Sequence, residues 1–264
     1  MNTTTSGHQF VDTHCHVHMA DYALPPDEVI KHAAKDGIDR LICVGTDAED
    51  SQRAVNLALK YNHIWASVGL HPHDAKLGEK PLADLRKLLQ NEKHRGKIVA
   101  VGECGLDYYY NHSPKAEQES AFRSQLKLAG EFNLPLIFHV REAFTDFWRI
   151  LEDFPNARGV VHSFSTTTIE LDQVLNHDLY VGLNGIMTFS KNEQQLGAAK
   201  AVPLDRLLLE TDAPFLTPSP QRGTVNEPRY VALVAAFLAD LRQESLADIA
   251  AATTANALEL FNLE

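Results

Sequence analysis

The feature that most constrains this chain is a repeated alternation of short, unbroken apolar runs with stretches of helical hydrophobic spacing. The runs are Phe10–Val11, Leu41–Val44, Ile64–Val68, Ile98–Val101, Leu134–Phe138, Val160–Val161, Leu179–Leu183 and Leu207–Leu209. They are continuous rather than alternating, as strands covered on both faces are. Between them, Ser51–Tyr61 and Lys115–Phe132 read as helices, and Glu142–Phe154 places Phe144, Phe147, Trp148, Ile150 and Leu151 at helical spacing. Ser245 followed by Asp248 reads as a capping box that opens a last helix over Leu246–Leu260. This order predicts an α/β protein, a TIM (β/α)8 barrel. A doubly wound open sheet is the alternative, but no G-x-G-x-x-G follows the first run. The length of 264 residues suits one barrel, which typically takes about 250. Residues 1–264 therefore read as a single domain, with 1–9 as a flexible N-terminus.

The longest apolar run, Val231 to Ala239, ends at Asp240. A membrane helix needs about 20 apolar residues, so this run reads as a helix packed against a core, and no membrane partner is expected. Met1 to Gln9 holds no Lys or Arg and lacks the charged and apolar halves of a secretory signal. Three cysteines are too few and too odd in number for a disulfide framework. Together these point to a reducing cytoplasm. The net charge is −11, from 35 acidic and 24 basic residues. A surface that held nucleic acid by electrostatics alone would be basic. If the ligand is a polyanion, positive charge must come from something outside the residue count.

The polar residues directly after the apolar runs carry the chemistry. They include Asp12-Thr13-His14-Cys15-His16, Gly69-Leu70-His71-Pro72-His73, Gly102-Glu103-Cys104-Gly105-Leu106-Asp107, His139-Val140-Arg141, His162-Ser163-Phe164-Ser165 and Glu210-Thr211-Asp212-Ala213-Pro214. In a parallel barrel every strand ends at the same face, so such residues converge there. His14 and His16 are two apart and point to one side of a strand, while Cys15 between them points toward the covering helices. Cys15 and Cys104 read as small buried hydrophobes rather than ligands. A lone histidine is usually a core or surface side chain, and His8, His32, His63, His94, His112 and His177 read so. His14, His16, Glu103, His139, His162 and Asp212 form a set that suits zinc, manganese, iron, nickel or magnesium.

Asp12-Thr13-His14-Cys15-His16, Gly69-Leu70-His71-Pro72, Gly102-Glu103-Cys104-Gly105-Leu106-Asp107-Tyr108-Tyr109, Glu210-Thr211-Asp212-Ala213-Pro214 and Arg222-Gly223-Thr224-Val225-Asn226-Glu227-Pro228 resemble the TatD family of metal-dependent deoxyribonucleases. The likeness runs from Val11 to Phe261, with the motifs in the family's order. It implies an amidohydrolase-like TIM barrel holding two divalent cations (Mg, Mn, Zn, Ni, Fe or Co). By the same resemblance His14, His16, Glu103 and Asp212 would hold one cation, and Glu103, His139 and His162 the second, with Glu103 bridging. His71 would face substrate at the rim. The chain departs from the family pattern at Val17, at Ser165-Thr166-Thr167 and at Thr224-Val225; none of these is a ligand, and the last two alter the pocket wall.

The function so implied is 3′-5′ exonuclease action on single-stranded DNA, with RNA as a further substrate. Paired cations can clamp the attacking and leaving oxygens of an in-line displacement and acidify a water. Asp212 would act as general base and Glu103 as the catalytic bridge. Arg141, on the strand parity of His139, would contact a phosphate oxygen. Phe164, Tyr108 and Tyr109 would offer faces for base stacking. With the cations supplying positive charge at the mouth of an acidic chain, substrate would be held by a short end rather than along a track. One alternative is a hydrolase of carboxyl esters, lactones or aminoacyl esters, since the same nucleophile attacks carbonyl carbon. Another is a non-catalytic metal-binding module.

Overall fold

The computed structural model describes residues 7–263. Among them lie the strands β1 (Phe10–Cys15), β2 (Ile38–Val44), β3 (Ile64–Val68), β4 (Ile98–Asp107), β5 (Leu136–Arg141), β6 (Gly159–Val161), β7 (Tyr180–Leu183) and β8 (Leu207–Leu209). The helices are α1 (Pro26–Lys35), α2 (Ala48–Lys60), α3 (Glu79–Gln90), α4 (Lys115–Phe132), α5 (Phe144–Leu151), α6 (Thr168–Asn176), α7 (Glu193–Ala201), α8 (Val231–Arg242) and α9 (Leu246–Phe261). The strands follow one another in the sheet in chain order, the topology of a TIM (β/α)8 barrel. Of the segment read as a flexible N-terminus, residues 1–6 lie outside the described residues. Gln9 at its end accepts a bond from Thr254 Oγ1 (3.1 Å). No helix of the described residues is long and apolar enough to cross a membrane.

Several elements differ in extent from the apolar runs. β1 continues through His14 to Cys15, β4 through Glu103 to Asp107, and β5 through His139 to Arg141. Hydrophobicity marks only the part of a strand inside the core, whereas backbone pairing carries the strand on beneath polar side chains. Leu134 is not in β5; its N–H donates to Ala129 O (3.0 Å) at the end of α4. α5 is shorter than Glu142–Phe154 because Glu142 has φ +52°, which no right-handed helix accommodates. α2 begins three residues before Ser51 because Asp47 caps it, accepting from Asp50 N (2.7 Å). Ser245 caps α9 as its spacing predicts, accepting from Asp248 N (3.0 Å).

The chain forms two compact units, residues 7–42 with 163–263, and residues 43–162. In the first unit β7 pairs in parallel with β8, and Cys15 at the end of β1 bridges to Ala213 beyond β8. Asp12, fully buried, ties these segments together. Its Oδ1 accepts from Thr211 N (3.0 Å) and His14 N (3.2 Å), and its Oδ2 from Thr211 Oγ1 (2.6 Å). Burial pushes its carboxyl well above the usual range, against the pull of these donors. In the second unit β3 to β6 pair successively in parallel. Behind them Phe122, Phe138 and Phe147 stack edge and face within 5.2–6.0 Å of one another. Buried Gln118 holds Asp107 by both amide ends, accepting from its N–H (2.8 Å) and donating to its carbonyl (3.0 Å).

Asp12→Ala would leave buried donors of Thr211 and His14 without an acceptor, so a loss of about 2–4 kcal/mol is expected in denaturant unfolding. Asp12→Asn keeps the Oδ1 acceptor without a buried charge, and a loss of about 1 kcal/mol or less is expected. Equal losses for the two variants would show that volume, not hydrogen bonding, is what Asp12 contributes.

Candidate metal centre

Each unit carries one cluster of metal-ligating side chains. In the first, His14 and His16 straddle the end of β1, and strand alternation turns both to one side. Their Nε2 atoms stand 3.2 Å apart. Asp212 Oδ1 faces both, at 3.6 Å from His14 Nε2 and 3.3 Å from His16 Nε2. Cys15 points the other way, its Sγ donating to Ile42 O (3.5 Å). Asp212 has φ +58°, a left-handed conformation that Asp enters more readily than most residues. Its N–H donates to His14 O (2.8 Å), and His16 N donates to Ala213 O (2.7 Å). Asn226 closes the turn from behind, donating from Nδ2 to Thr211 O (2.8 Å).

In the second unit one carboxylate oxygen is the focus. Glu103 Oε1 lies 2.8 Å from His139 Nδ1, 3.5 Å from His71 Nε2 and 3.8 Å from His162 Nε2. The pairing of β4 with β5 sets this up: Gly105 lies opposite His139, and Asp107 opposite Arg141. Gly105 has φ +142°, and a Cβ there would stand 2.1 Å from His139 O. Only glycine allows the two strands this approach. His139 is also held from behind, with Nε2 3.0 Å from Asp107 Oδ2; His73 Nε2 reaches the same oxygen at 3.0 Å.

The electrostatics follow the burial. Desolvation lowers His71 to about 4, outweighing the pull of Glu103, so this ring is neutral at pH 7. Burial also works against a proton on His139, but its bonds to Asp107 and Glu103 prevail and raise its pKa. Burial would raise Asp107, yet bonds from His139, Tyr110 N–H and His73 hold its carboxyl well below the usual range. Burial, with Glu103 beside it, pushes the Cys104 thiol up, so it stays protonated.

The donor sets suit a divalent cation. His14, His16 and Asp212 place ligand atoms within 4.8 Å of one another, and so do His71, Glu103 and His139. Mixed imidazole and carboxylate donors are those of zinc, manganese, nickel or iron sites. His139 between Glu103 and Asp107 has the carboxylate–histidine arrangement that orients metal-ligating imidazoles.

The other sequence candidates fall as follows. His71 sits against Glu103, deeper than a rim position. Arg141 is exposed, its guanidinium 4.2 Å from the ring centre of Tyr109. Phe164 is buried at 3% exposure and presents no open face. Tyr108 bonds Asp146 through its hydroxyl (3.0 Å) and has Lys115 over its ring. Among the described residues the exposed large aromatic rings are Tyr109, Tyr110 and Phe215, the last 6.2 Å from the His16 ring. Sequence reasoning assigned no role to Asp107, His73, Asp12 or Asn226. Their signal was position within the same motifs, but their partners lie on other elements.

Histidine and carboxylate clusters at the strand ends of a parallel β/α protein are the arrangement of a metal-dependent hydrolase. The family model described as TatD related DNase matches residues 11–262, and the chain belongs to the TatD family. It is 39% identical over 255 residues to the uncharacterized metal-dependent hydrolase YabD of Bacillus subtilis, covering 96% of this chain and 98% of that protein. It is 38% identical over 251 residues to the 3′-5′ ssDNA/RNA exonuclease TatD of Erwinia tasmaniensis, covering 92% and 95%. Among solved structures, YJJV, a TatD homolog from Escherichia coli, superposes with a TM-score of 0.90 at 32% identity, covering 97% and 98%.

Asp107→Asn removes the charge that orients His139. Calorimetric titration with Mn2+ is expected to show affinity lowered by about 10- to 100-fold. An unchanged affinity would mean that His139 is positioned without Asp107.

Proposed function

We propose that this chain is a metal-dependent phosphodiester hydrolase that trims the ends of single-stranded DNA or RNA. The observation that carries this reading is the convergence of His139, His71 and His162 on Glu103, matched by His14, His16 and Asp212 in the other unit. Membership of the TatD family and the exonuclease relatives support the choice of substrate and of 3′-5′ polarity. In this reading His14, His16, Glu103 and Asp212 hold one divalent cation and Glu103, His139 and His162 a second, of Mg, Mn, Zn, Ni, Fe or Co.

When bound, two such cations supply Lewis-acid stabilisation of the attacking and leaving oxygens and acidify the attacking water. The side chains do the rest. Glu103 would supply the negative charge that a dication held with His139 and His162 needs. Asp212, whose Oδ1 faces His14 and His16, takes the water's proton on its carboxylate as general base. His71, neutral at pH 7, offers a hydrogen bond to substrate without adding charge. Arg141 donates to a phosphate oxygen. Phe164 contributes packing rather than a stacking face. The three cysteines are buried and free of disulfides, in keeping with a reducing cytoplasm.

The net charge of −11 fits this arrangement. A substrate held by a short end neutralises few phosphates through Lys and Arg. The log–log salt slope of binding to an oligonucleotide is therefore expected to be shallow, about 2 or less in magnitude. A slope near that of a repressor, about 10, would contradict end binding.

The direct test is turnover of labelled single-stranded DNA by purified variants in Mn2+. Glu103→Ala is expected to abolish cleavage and lower bound metal. Asp212→Asn should reduce kcat by about 10²- to 10⁴-fold, the scale of a lost general base, while retaining much of the metal. Wild-type rates from both variants would refute the assignment. Turnover of aminoacyl or carboxyl esters, with oligonucleotides untouched, would place the same site in carbonyl chemistry.

A further inference from the structure

Immediately beyond Asp107 the chain exposes a cluster that the metal-ligand scheme does not use. Tyr109 and Tyr110 are 54% and 50% exposed, unusual for large rings on an otherwise buried strand end. They are not loosely held. Asp107 Oδ1 accepts the backbone N–H of Tyr109 (3.0 Å) and of Tyr110 (2.9 Å), pinning the turn to the end of β4. The two rings meet edge to face at 4.9 Å and 88°. Tyr110 is braced in turn by His112, parallel to it within 12°.

Arg141 completes the cluster. Its guanidinium carbon lies 4.2 Å from the centre of the Tyr109 ring and 4.7 Å from that of Tyr110. Among the described residues no carboxylate pairs with it. A guanidinium held by its face on aromatic rings still directs its N–H groups outward in its own plane, and that fork matches phosphate oxygens. An arginine without an acidic partner stands out on a chain carrying 35 carboxylates against 24 Lys and Arg. Its place is also set by the strand: Arg141 is two residues beyond His139, about 7 Å along β5 and on the same side.

We infer that Tyr109 and Arg141 form a nucleotide clamp, in which one unpaired base stacks on the open face of Tyr109 while its phosphate accepts from the N–H edge of Arg141. Tyr110, braced by His112, holds the guanidinium in place. The inference rests on the nuclease reading and deepens it, because a stacked base must first be unpaired: the clamp selects single strands. Aromatic faces accept any base, so the clamp imposes no sequence preference.

The test reads binding rather than turnover. Purified Mn2+-loaded protein is mixed by stopped flow with dT hexamers carrying one 2-aminopurine at each of the last three positions in turn, and fluorescence is read before the first turnover. The wild type is expected to quench the fluorescence at one position, as stacking does. Tyr109→Leu should abolish that quenching and weaken binding about 10- to 100-fold. Tyr109→Phe, which keeps the face and loses the hydroxyl, should restore both. Arg141→Gln should weaken binding to the same oligomer. An abasic residue at the quenched position should weaken wild-type binding by the factor that Tyr109→Leu does, and should cost the variant nothing further. Wild-type quenching and affinity in Tyr109→Leu, or equal affinity for abasic and intact oligomers, would overturn the clamp. Absence of quenching at all three positions in the wild type would overturn it as well. The nuclease reading stands or falls separately, on cleavage by the wild type in Mn2+.

Discussion

The pairing of β4 with β5 is the constraint on which the second-unit cluster depends. Parallel pairing sets Gly105 opposite His139 and Asp107 opposite Arg141, and the missing side chain at Gly105 lets the two strands close on each other. Glu103 and His139 are thereby held within hydrogen-bonding reach, 2.8 Å apart. Asp107, two residues past Gly105, then reaches the far nitrogen of the same imidazole. A ring gripped from both sides by carboxylates has one orientation, which a ligand needs and a surface histidine does not. The first unit solves the same problem differently. There the buried carboxylate of Asp12 ties β1 to Thr211, and the left-handed turn at Asp212 aims its side chain at His14 and His16.

The candidate site positions were legible in the sequence because their chemistry is conspicuous. Histidine and carboxylate at the end of an apolar run is a costly place for a polar side chain unless it has a partner. His14 and His16 could be placed on one side by alternation alone, and Cys15 on the other. Strand ends were not legible in this way. A run such as Ile98–Val101 stops where hydrophobicity stops, whereas β4 continues through Glu103 to Asp107 because backbone hydrogen bonding is indifferent to side-chain polarity. For the same reason the histidines read as following their strands are partly within them. Helix ends behaved similarly: Ser245 announced α9, but nothing in the composition near Glu142 announced a positive φ.

Residues whose role lies in a partner far along the chain remained hidden. Asp107 sits in a motif that was plainly visible, yet its partners His73 and His139 come from other elements, and only the fold brings them together. Burial was equally hidden for aromatics. Phe164 and Tyr109 both follow apolar runs, and spacing treats them alike. The structure buries the first and leaves the second open beside Arg141.

The central claim is that these histidines and carboxylates hold a pair of divalent cations. Anomalous diffraction from crystals equilibrated with Mn2+ tests it most directly. The account predicts two strong peaks, one beside His14, His16 and Asp212 and one beside Glu103, His139 and His162. Full-length crystals that bind manganese elsewhere, or show no peak at these side chains, would contradict it.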